Sequence, residues 1–455
     1  MNIDSSVKYI DLWFTDLLGR LKHVTISRKS FEKYISREGV IPKLDGSSIR
    51  GFSDIHDSDM LLIPDLRTIA KISDDTARVI CTTAYRGKKE NFKDPRWLAI
   101  KAEEKLMKMG YKAYFGPELE FFVFNNVSLK YIEPWYQMVK ISSKEAPWNG
   151  NGEVIHHKDA YYAGFPYDKT YTFRKALVEY LEENFGIEFE AHHHEVATAG
   201  QVEIDITKST LVDMADKVIT LKYAAKVIAN KMGMIATFMP KPVYGDNGSG
   251  MHTHVSIWSD GKNLFHDASD EYAGLSDFAR YFIGGLLEHA RAISAIVSPT
   301  VNSYRRLVPG YEAPVYLVWS KSNRSAAVRI PAYEIYNHDS KRVEYRPPDP
   351  SSNPYLAFIA IVAAGLDGVR RKIDPGDPVD ENVYEMGEVK RKELGIKELP
   401  ATLKEALDEL ENDNEFLREF IPRETIEVYI ELKRREYIEV TSRPSVVDYY
   451  FYLTV

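Results

Sequence analysis

Four short segments set side chains capable of acid–base or ligand chemistry two residues apart. In Phe115-Gly116-Pro117-Glu118-Leu119-Glu120-Phe121-Phe122 the acids are Glu118 and Glu120. Gln201 to Asp205 carries Gln201, Glu203 and Asp205 at alternate positions, and Met251 to Ser256 carries His252, His254 and Ser256. Arg342 to Arg346 alternates Arg342, Glu344 and Arg346 in the same way. In an extended strand residues i and i+2 share a face, so each segment presents one polar row backed by apolar neighbours. A solvated antiparallel sheet produces the same alternation, and any one segment alone reads that way. Together, the residue types argue otherwise. Glutamate, histidine and arginine stand where lysine and threonine are usual on a wet face, with Phe121, Phe122 and Trp258 beside them. Buried like charges are costly unless they are paired or bound to cations. A concave sheet whose inner face binds divalent metals satisfies all four rows.

A fifth segment, His192-His193-His194-Glu195, suggests zinc. Zinc sites favour nitrogen and sulfur ligands, and no cysteine lies near these histidines. Many carboxylates with few imidazoles favour Mg2+ or Mn2+ instead, the ions of phosphoryl chemistry.

Two further stretches suit anionic substrates. Asp246-Asn247-Gly248-Ser249-Gly250 enters the histidine strand through glycines that let backbone approach a ligand. It lacks the Lys-Ser/Thr ending of a P-loop. Taken alone, its Asn-Gly step is a hairpin signal. Downstream, Arg305 and Arg306 precede a loop punctuated by Pro309 and Gly310, with Glu312 near its tip, and Arg324 and Arg329 follow. Arginine captures carboxylate and phosphate in bidentate fashion, though each arginine alone could serve a weak surface salt bridge.

The chain that must position these groups has 455 residues, 44% hydrophobic and 28% charged, enough for two or three domains with a large core. Its net charge of −8 argues against nucleic acid as the main partner. The single cysteine, Cys81, excludes disulfides within the chain and points to a cytoplasmic setting, and free cysteine is usually buried filler. Met1–Asp11 has no signal-peptide pattern, and the longest apolar run, Tyr355–Leu366, is too short to span a bilayer, so no membrane partner is expected.

Tyr9–Ile26 alternates as a hairpin broken at Leu18-Gly19, and Met60–Ile63 and Arg78–Thr82 are strand-like. Asp94-Pro95 opens a helix that stops at Gly110. This places a boundary near residue 93, between a small, mostly β domain (1–93) and a larger α/β part (94–455). Further helices are expected from Ser209 or Thr210 to Gly233, from Ser276 to about Pro299, from Asn353-Pro354 to Lys372, from Thr402, and over Glu424–Glu439.

The chain resembles the glutamine synthetase family, of the bacterial and archaeal class I kind, over nearly its whole length. The motifs that carry the resemblance are Asp45-Gly46-Ser47-Ser48, Glu118 to Phe122, His192 to Glu203, Asn247 to His254, Asn302 to Pro314, Asn323 to Pro331, Glu344-Tyr345-Arg346 and Asn353-Pro354-Tyr355. The resemblance implies an α+β fold: a small N-terminal β-grasp-like domain and a larger catalytic domain built on a curved antiparallel sheet with flanking helices. It implies ATP-dependent ligation of ammonia to L-glutamate through γ-glutamyl phosphate. Glu120, Glu195 and Glu203 would hold one divalent cation, and Glu118, His252 and Glu344 a second. His254, Ser256 and Glu190 would lie on the ATP side, with Arg342. Asn247, Gly248 and Arg306 would bind glutamate, with Arg346 at its reacting end. Arg324 and Arg329 would neutralise the transferring phosphate. Glu312 would sit on a flap that closes the site, and Asp45 of a neighbouring subunit would bind and deprotonate ammonium.

The resemblance also implies a cytoplasmic homo-dodecamer of two stacked hexameric rings, into which the aromatic C-terminus, Val446 to Val455, would insert. Two departures bear on the nucleotide side. About two residues are inserted between Arg329 and Glu344, and Asp339 stands at a usual lysine position. Asp159-Ala160-Tyr161-Tyr162-Ala163-Gly164-Phe165 replaces the family's Gly-Gly-Tyr-Phe stretch. Tyr384 is followed by Glu385-Met386-Gly387 rather than Asp-Leu-Pro, so adenylylation is not expected. A polyamine ligase of the same family is the nearest alternative, and Asp45 and Arg346-Pro347-Pro348-Asp349-Pro350 favour ammonia over a larger amine. A non-catalytic homologue would have lost ligands, and all six are present.

Overall fold

The computed structural model describes residues 3–53, 55–133, 136–149, 152–331 and 337–454. The chain first builds a small sheet from β1 (Tyr9–Thr15), β2 (Leu21–Ser27), β3 (Ile41–Asp45), β4 (Asp59–Lys71), β5 (Thr76–Tyr85) and β6 (Lys89–Glu90). The strand order is β2-β1-β5-β4-β3, with β6 beside β5. The hairpin expected at Leu18-Gly19 forms: Asp16 Oδ1 accepts from the amides of Leu18 (3.1 Å) and Arg20 (2.8 Å). β1 pairs with β5 in parallel, a crossover that only a non-local contact can set. Cys81 is buried in this sheet, and burial pushes its thiol pKa up, so it is packing rather than a nucleophile.

The helix Pro95–Lys108 joins the two parts of the chain. Asp94 caps it by accepting from Trp97 N at 3.0 Å, and the same carboxylate accepts from Thr83 N and Oγ1 in β5. Two residues on, Arg96 grips Asp216 of the helix Leu211–Lys231 and Asp65 of β4.

The large sheet contains β7 (Lys112–Phe124), followed by a separate hairpin of β8 (Asn126–Glu133) and β9 (Tyr136–Ser142). It continues with β10 (Phe189–His194), β11 (Gln201–Ile206), β12 (Ser209–Thr210), β13 (Ile235–Thr237), β14 (Met251–Ser259) and β15 (Lys262–Asn263). β16 (Tyr316–Lys321), β17 (Ala326–Ile330) and β18 (Val343–Tyr345) complete it. The strand order is β10-β11-β7-β14-β18-β17-β16. The expected antiparallel pattern holds except at one edge, where β16 and β17 pair in parallel. In β7 the alternation is explicit. Phe115, Leu119, Phe121 and Val123 enter the main core, while Phe122 and Phe124 join a separate small cluster with Ala197 and Ala199. The core face packs on helices: Phe115 stacks on Phe358, ring centroids 4.5 Å apart, within the helix Pro354–Arg371. That helix buries Tyr355 to Gly365 of the apolar run inside the fold and half-buries Leu366, and among the described residues no helix is long and apolar enough to cross a membrane.

Two sequence expectations change. The helix read from Ser276 to Pro299 is two helices, Asp277–Glu288 and Ala290–Val297. His289 breaks it: its ring nitrogens face Asp413 (2.8 Å) and Asp367 (3.0 Å), and the ring stacks on Phe416. The Asn247-Gly248 step is not a hairpin turn. β13 and β14, on either side of it, both run antiparallel to β7, so residues 238–250 form an excursion between two segments that run in the same direction.

Candidate active site

The register of the large sheet puts the polar rows next to each other. Directly opposed residues in neighbouring strands share a face and lie close together. One row crosses three strands as His193, Glu203 and Glu120. The next crosses as Asp205, Glu118 and His252. A third runs His254, Glu344 and Arg329. All four segments singled out in the sequence thus meet on one face of one sheet.

Two groups of this face offer ligand atoms within 4.8 Å of one another: Glu118, His252 and Glu344, and His193, Glu195 and Glu203. The first is the set the family resemblance implies. In the second, His193 stands with Glu195 and Glu203, its Nε2 3.0 Å from Glu203 and its Nδ1 3.6 Å from Glu195, while Glu120 lies across the strand from Glu203. Sequence reasoning set aside all three histidines. The signal that separates them is the strand register, which alone brings His193 opposite Glu203. The flanking rings are committed elsewhere: Arg174 Nε donates to His192 Nδ1, and His194 Nε2 lies 3.0 Å from the buried Glu145.

The electrostatics of the two groups differ. Burial opposes ionisation of Glu118, but His254 (2.8 Å) and His252 (3.3 Å) flank it and hold its carboxyl well below the usual range. Glu344 is fully buried, and against that burial Arg346 (2.7 Å) and Arg329 bring its carboxyl down to about 2. Glu195 and Glu203 go the other way. Burial and neighbouring carboxylates, Glu120 for the first and Asp205 for the second, push both well above the usual range. Asp205 is raised to about 7 by burial and by Glu118. One half of the face is therefore flanked by histidine rings and guanidinium groups, and the other half is short of positive charge. Carboxylate oxygens crowded in this way fit hard divalent cations.

The excursion 238–250 delivers the next set. Asp246, fully buried, accepts from Asn247 N (3.0 Å), Thr198 N (2.9 Å) and Lys158 N (3.2 Å). Gly250 N donates to Glu120 Oε2 at 3.0 Å, and Gln201 Nε2 bridges that oxygen and Gly248 O. A methyl group on Gly250 would stand 2.6 Å from His252 Nε2 and 2.8 Å from Arg306 Nη2. Arg306 is buried, donates to Pro347 O (2.8 Å) and Arg346 O (3.2 Å), and packs against Gly248. Asn247, Gly248, Arg306 and Arg346 thus converge beside the carboxylates.

On the other side of Glu118 lies a cleft of about 360 Å³, lined by Glu190, Asp205, Lys208, His254, Ser256 and Arg342 among others. Arg342 Nε donates to His254 Nδ1 (3.2 Å), which leaves the proton on Nε2 to face Glu118. Lys208, which sequence reasoning missed, reaches Asp339 O and lies over the Tyr114 and Trp258 rings. Its ammonium thus stands beside Asp339, the position at which the resemblance implies a lysine. The insertion read between Arg329 and Glu344 falls partly on residues 332–336, outside the described residues.

Glu312 follows Gly310 and Tyr311 in a loop whose backbone is left-handed at Glu312, φ 57°. Arg346 Nη2 donates to Glu312 O (3.4 Å) and Tyr384 Oη to Ala313 O (2.6 Å). Arg324 precedes β17, close enough for its charge to act on Tyr161. Asp45 is not gathered into this cluster. It ends β3, is exposed, and accepts from Ser47 N (3.0 Å), Ser47 Oγ (2.7 Å) and Ser48 Oγ (2.8 Å), which lower its pKa.

Comparison with known proteins bears on the whole chain. The family model described as "Glutamine synthetase, beta-Grasp domain" matches residues 6–84, and "Glutamine synthetase, catalytic domain" matches residues 92–452. The chain is 56% identical to the glutamine synthetase of Sulfolobus acidocaldarius over 455 residues, covering 99% of this chain and 96% of that one. It is 45% identical to that of Aquifex aeolicus over 458 residues, covering 98% and 96%. The cryo-EM structure of Plasmodium falciparum glutamine synthetase superposes with a TM-score of 0.89 at 27% identity, over 99% of this chain and 96% of that one. A GmaS/ADP complex superposes with a TM-score of 0.83 at 26% identity, over 99% and 98%.

Proposed function

The chain belongs to the glutamine synthetase family, and from that premise we propose how its residues divide the work. The activity is the ATP-dependent ligation of ammonia to glutamate. The observation that carries the assignment of roles is the cross-strand register, which sets Glu203, Glu120, Asp205, Glu118, His252, His254, Glu344 and Arg329 in adjoining rows.

Glu120, Glu195 and Glu203, with His193 beside them, would hold one Mg2+ or Mn2+, and Glu118, His252 and Glu344 a second. Bound there, the ions supply the positive charge that lets an anionic carboxylate approach a polyanionic phosphate. Asn247, the backbone at Gly248 and Arg306 hold glutamate, and Arg346 aims its side-chain carboxylate. Glu190, Lys208, His254, Ser256 and Arg342 receive ATP along the cleft. Arg324 and Arg329 neutralise the phosphoryl group as it passes to the carboxylate, giving γ-glutamyl phosphate and ADP. The loop carrying Glu312 keeps water away from that acyl phosphate. Asp45, brought by a neighbouring subunit, binds ammonium and takes its proton, and the resulting ammonia displaces phosphate. Residues 1–93 of one chain and 94–455 of the next would make one site, in a cytoplasmic dodecamer of two hexameric rings. The exposed aromatic helix Val446–Tyr452 suits insertion into another subunit.

The test is product formation by the purified protein with ATP, glutamate and Mg2+ or Mn2+. Glutamine should form with ammonium, and no adduct with putrescine. Activity with putrescine alone would overturn the choice of ammonia.

The charge imbalance gives an independent check. In metal-free buffer Glu203→Gln should melt at a higher temperature than the parent, because it removes one of several crowded negative charges. With divalent metal the order should reverse. The parent gains about 2.7 kcal/mol at an ion concentration of 100 times Kd, and the variant gains far less. Thermal melts with and without Mn2+ read both signs.

Gly250→Ala should lower kcat/KM by up to about 10²-fold, the cost of displacing reacting groups by an ångström. The added carbon cannot fit without moving His252 or Arg306. Steady-state kinetics with varied glutamate check this.

A further inference from the structure

The residue before Glu312 is held more firmly than a surface loop requires. Lys241 Nζ lies 3.7 Å and Lys158 Nζ 4.3 Å from the centroid of the Tyr311 ring. Lys158 Nζ also donates to Gly310 O at 2.9 Å, so one ammonium group fixes both the ring and the backbone ahead of it. An ammonium over an aromatic face is attracted by the ring quadrupole, and partial burial strengthens the attraction.

Both lysines are anchored to the segments that bind glutamate. Lys241 is buried, its N–H donates to Asn302 Oδ1 (2.7 Å), and its carbonyl accepts from Asn302 Nδ2 (3.0 Å). Asn302 immediately precedes the turn Ser303–Arg306. Lys158 N donates to Asp246, the carboxylate that also accepts from Asn247 N. The Tyr311 ring is therefore tied on one side to the Asn247-Gly248 loop and on the other to the segment of Arg306. Beyond it, the left-handed backbone at Glu312 is a conformation that residues with a Cβ avoid, so it needs holding from both ends. Tyr384 and Arg346 hold the far end, and Lys158 and Lys241 the near one.

We propose that Tyr311 is a positioning residue: its ring, gripped by Lys158 and Lys241, latches the loop of Glu312 to the glutamate-binding segments and so seals the site against water. This rests on the reading above, in which an acyl phosphate forms beneath that loop. If the latch is loosened, water attacks the carbonyl carbon of γ-glutamyl phosphate. The carbon–oxygen bond to phosphate breaks, inorganic phosphate leaves, and glutamate is regenerated. ATP is then consumed without glutamine.

The experiment measures phosphate released per glutamine formed by the full chain with ATP, glutamate and ammonium. The parent should give a ratio just above one, the small excess being its uncoupled turnover, and a parent that makes no glutamine defeats the functional reading rather than the latch. In Tyr311→Leu the ratio of uncoupled to coupled turnover should rise by about 3- to 30-fold, the range expected for losing a cation–π contact, with a higher KM for glutamate. Tyr311→Phe keeps the ring and should stay near the parent. Lys158→Met, which alters an exposed side chain and leaves the fold intact, should uncouple in the same direction by a smaller factor. The proposal is overturned if Tyr311→Leu and Lys158→Met both keep the parent's ratio of phosphate to glutamine. It is equally overturned if Tyr311→Phe uncouples as much as Tyr311→Leu, since the hydroxyl and not the ring would then matter.

Discussion

Glu344→Gln should slow turnover by about 10²–10³-fold and destabilise the fold by about 3–5 kcal/mol. The side chain is fully buried in β18, opposite His254 on one neighbouring strand and Arg329 on the other. Its two oxygens are divided between Arg346 and Arg329. Glutamine keeps the volume, so no cavity is made. It removes the charge and turns an amide N–H2 toward a guanidinium, which leaves two buried cations without a counter-ion. Arg346 also loses the partner that aims it, and Arg346 is the group proposed above for the reacting carboxylate. The two effects can be separated. Adding Arg346→Gln should restore part of the stability, because the excess charge goes, but none of the turnover. Thermal melts and steady-state kinetics on the single and double variants measure the two parts, and full additivity in stability would show that the pair is not coupled.

Arg96→Met should cost about 3–5 kcal/mol without altering a single group of the active site. Arg96 Nε and Nη2 hold Asp216 at 2.9 and 2.8 Å, and Nη2 reaches Asp65 at 3.0 Å. Tyr355 Oη donates to the same Asp216 carboxylate at 2.6 Å. Four elements meet at this guanidinium: β4 of the small sheet, the joining helix, and the helices that back the large sheet. Methionine fills the space but leaves Asp216 buried without the guanidinium that paired it, while Asp65 keeps only Arg67. Arg96→Met with Asp216→Leu should recover much of the loss, since an apolar pair of similar volume replaces a buried ion pair at little cost. Melting temperatures of the three variants decide this.

Much of the architecture can be read from local chemistry. Asp94-Pro95, Thr402 and Asn353-Pro354 open helices because their side chains satisfy free amides, and such signals are complete within four residues. The polar rows are legible because strand alternation is local too. What pairs with what is not local. Nothing near His193 says that Glu203 will lie opposite it, so the one imidazole of three that faces the carboxylates could not be told from its neighbours. The break at His289 has the same origin: its partners Asp367 and Asp413 are far away in sequence. The Asn-Gly step looked like a hairpin because that signal describes two residues, while the excursion depends on β13 and β14 both finding β7. Lys208 was missed because a lysine after a strand has no distinctive spacing.

The register of β14 carries a consequence for assembly of the chain. His252 and His254 alternate with Thr253 and Val255, which are buried on the opposite side. A slip of one residue would exchange the two sets. The misaligned strand would turn a hydroxyl and a methyl-bearing side chain toward Glu118 and Glu344 and press two imidazoles into the apolar layer. Such a chain could not gather ligands for an ion, and its carboxylates would repel one another with nothing between them. With a divalent ion bound there, capture would double as proofreading: only the correctly threaded molecule would gain the extra stability.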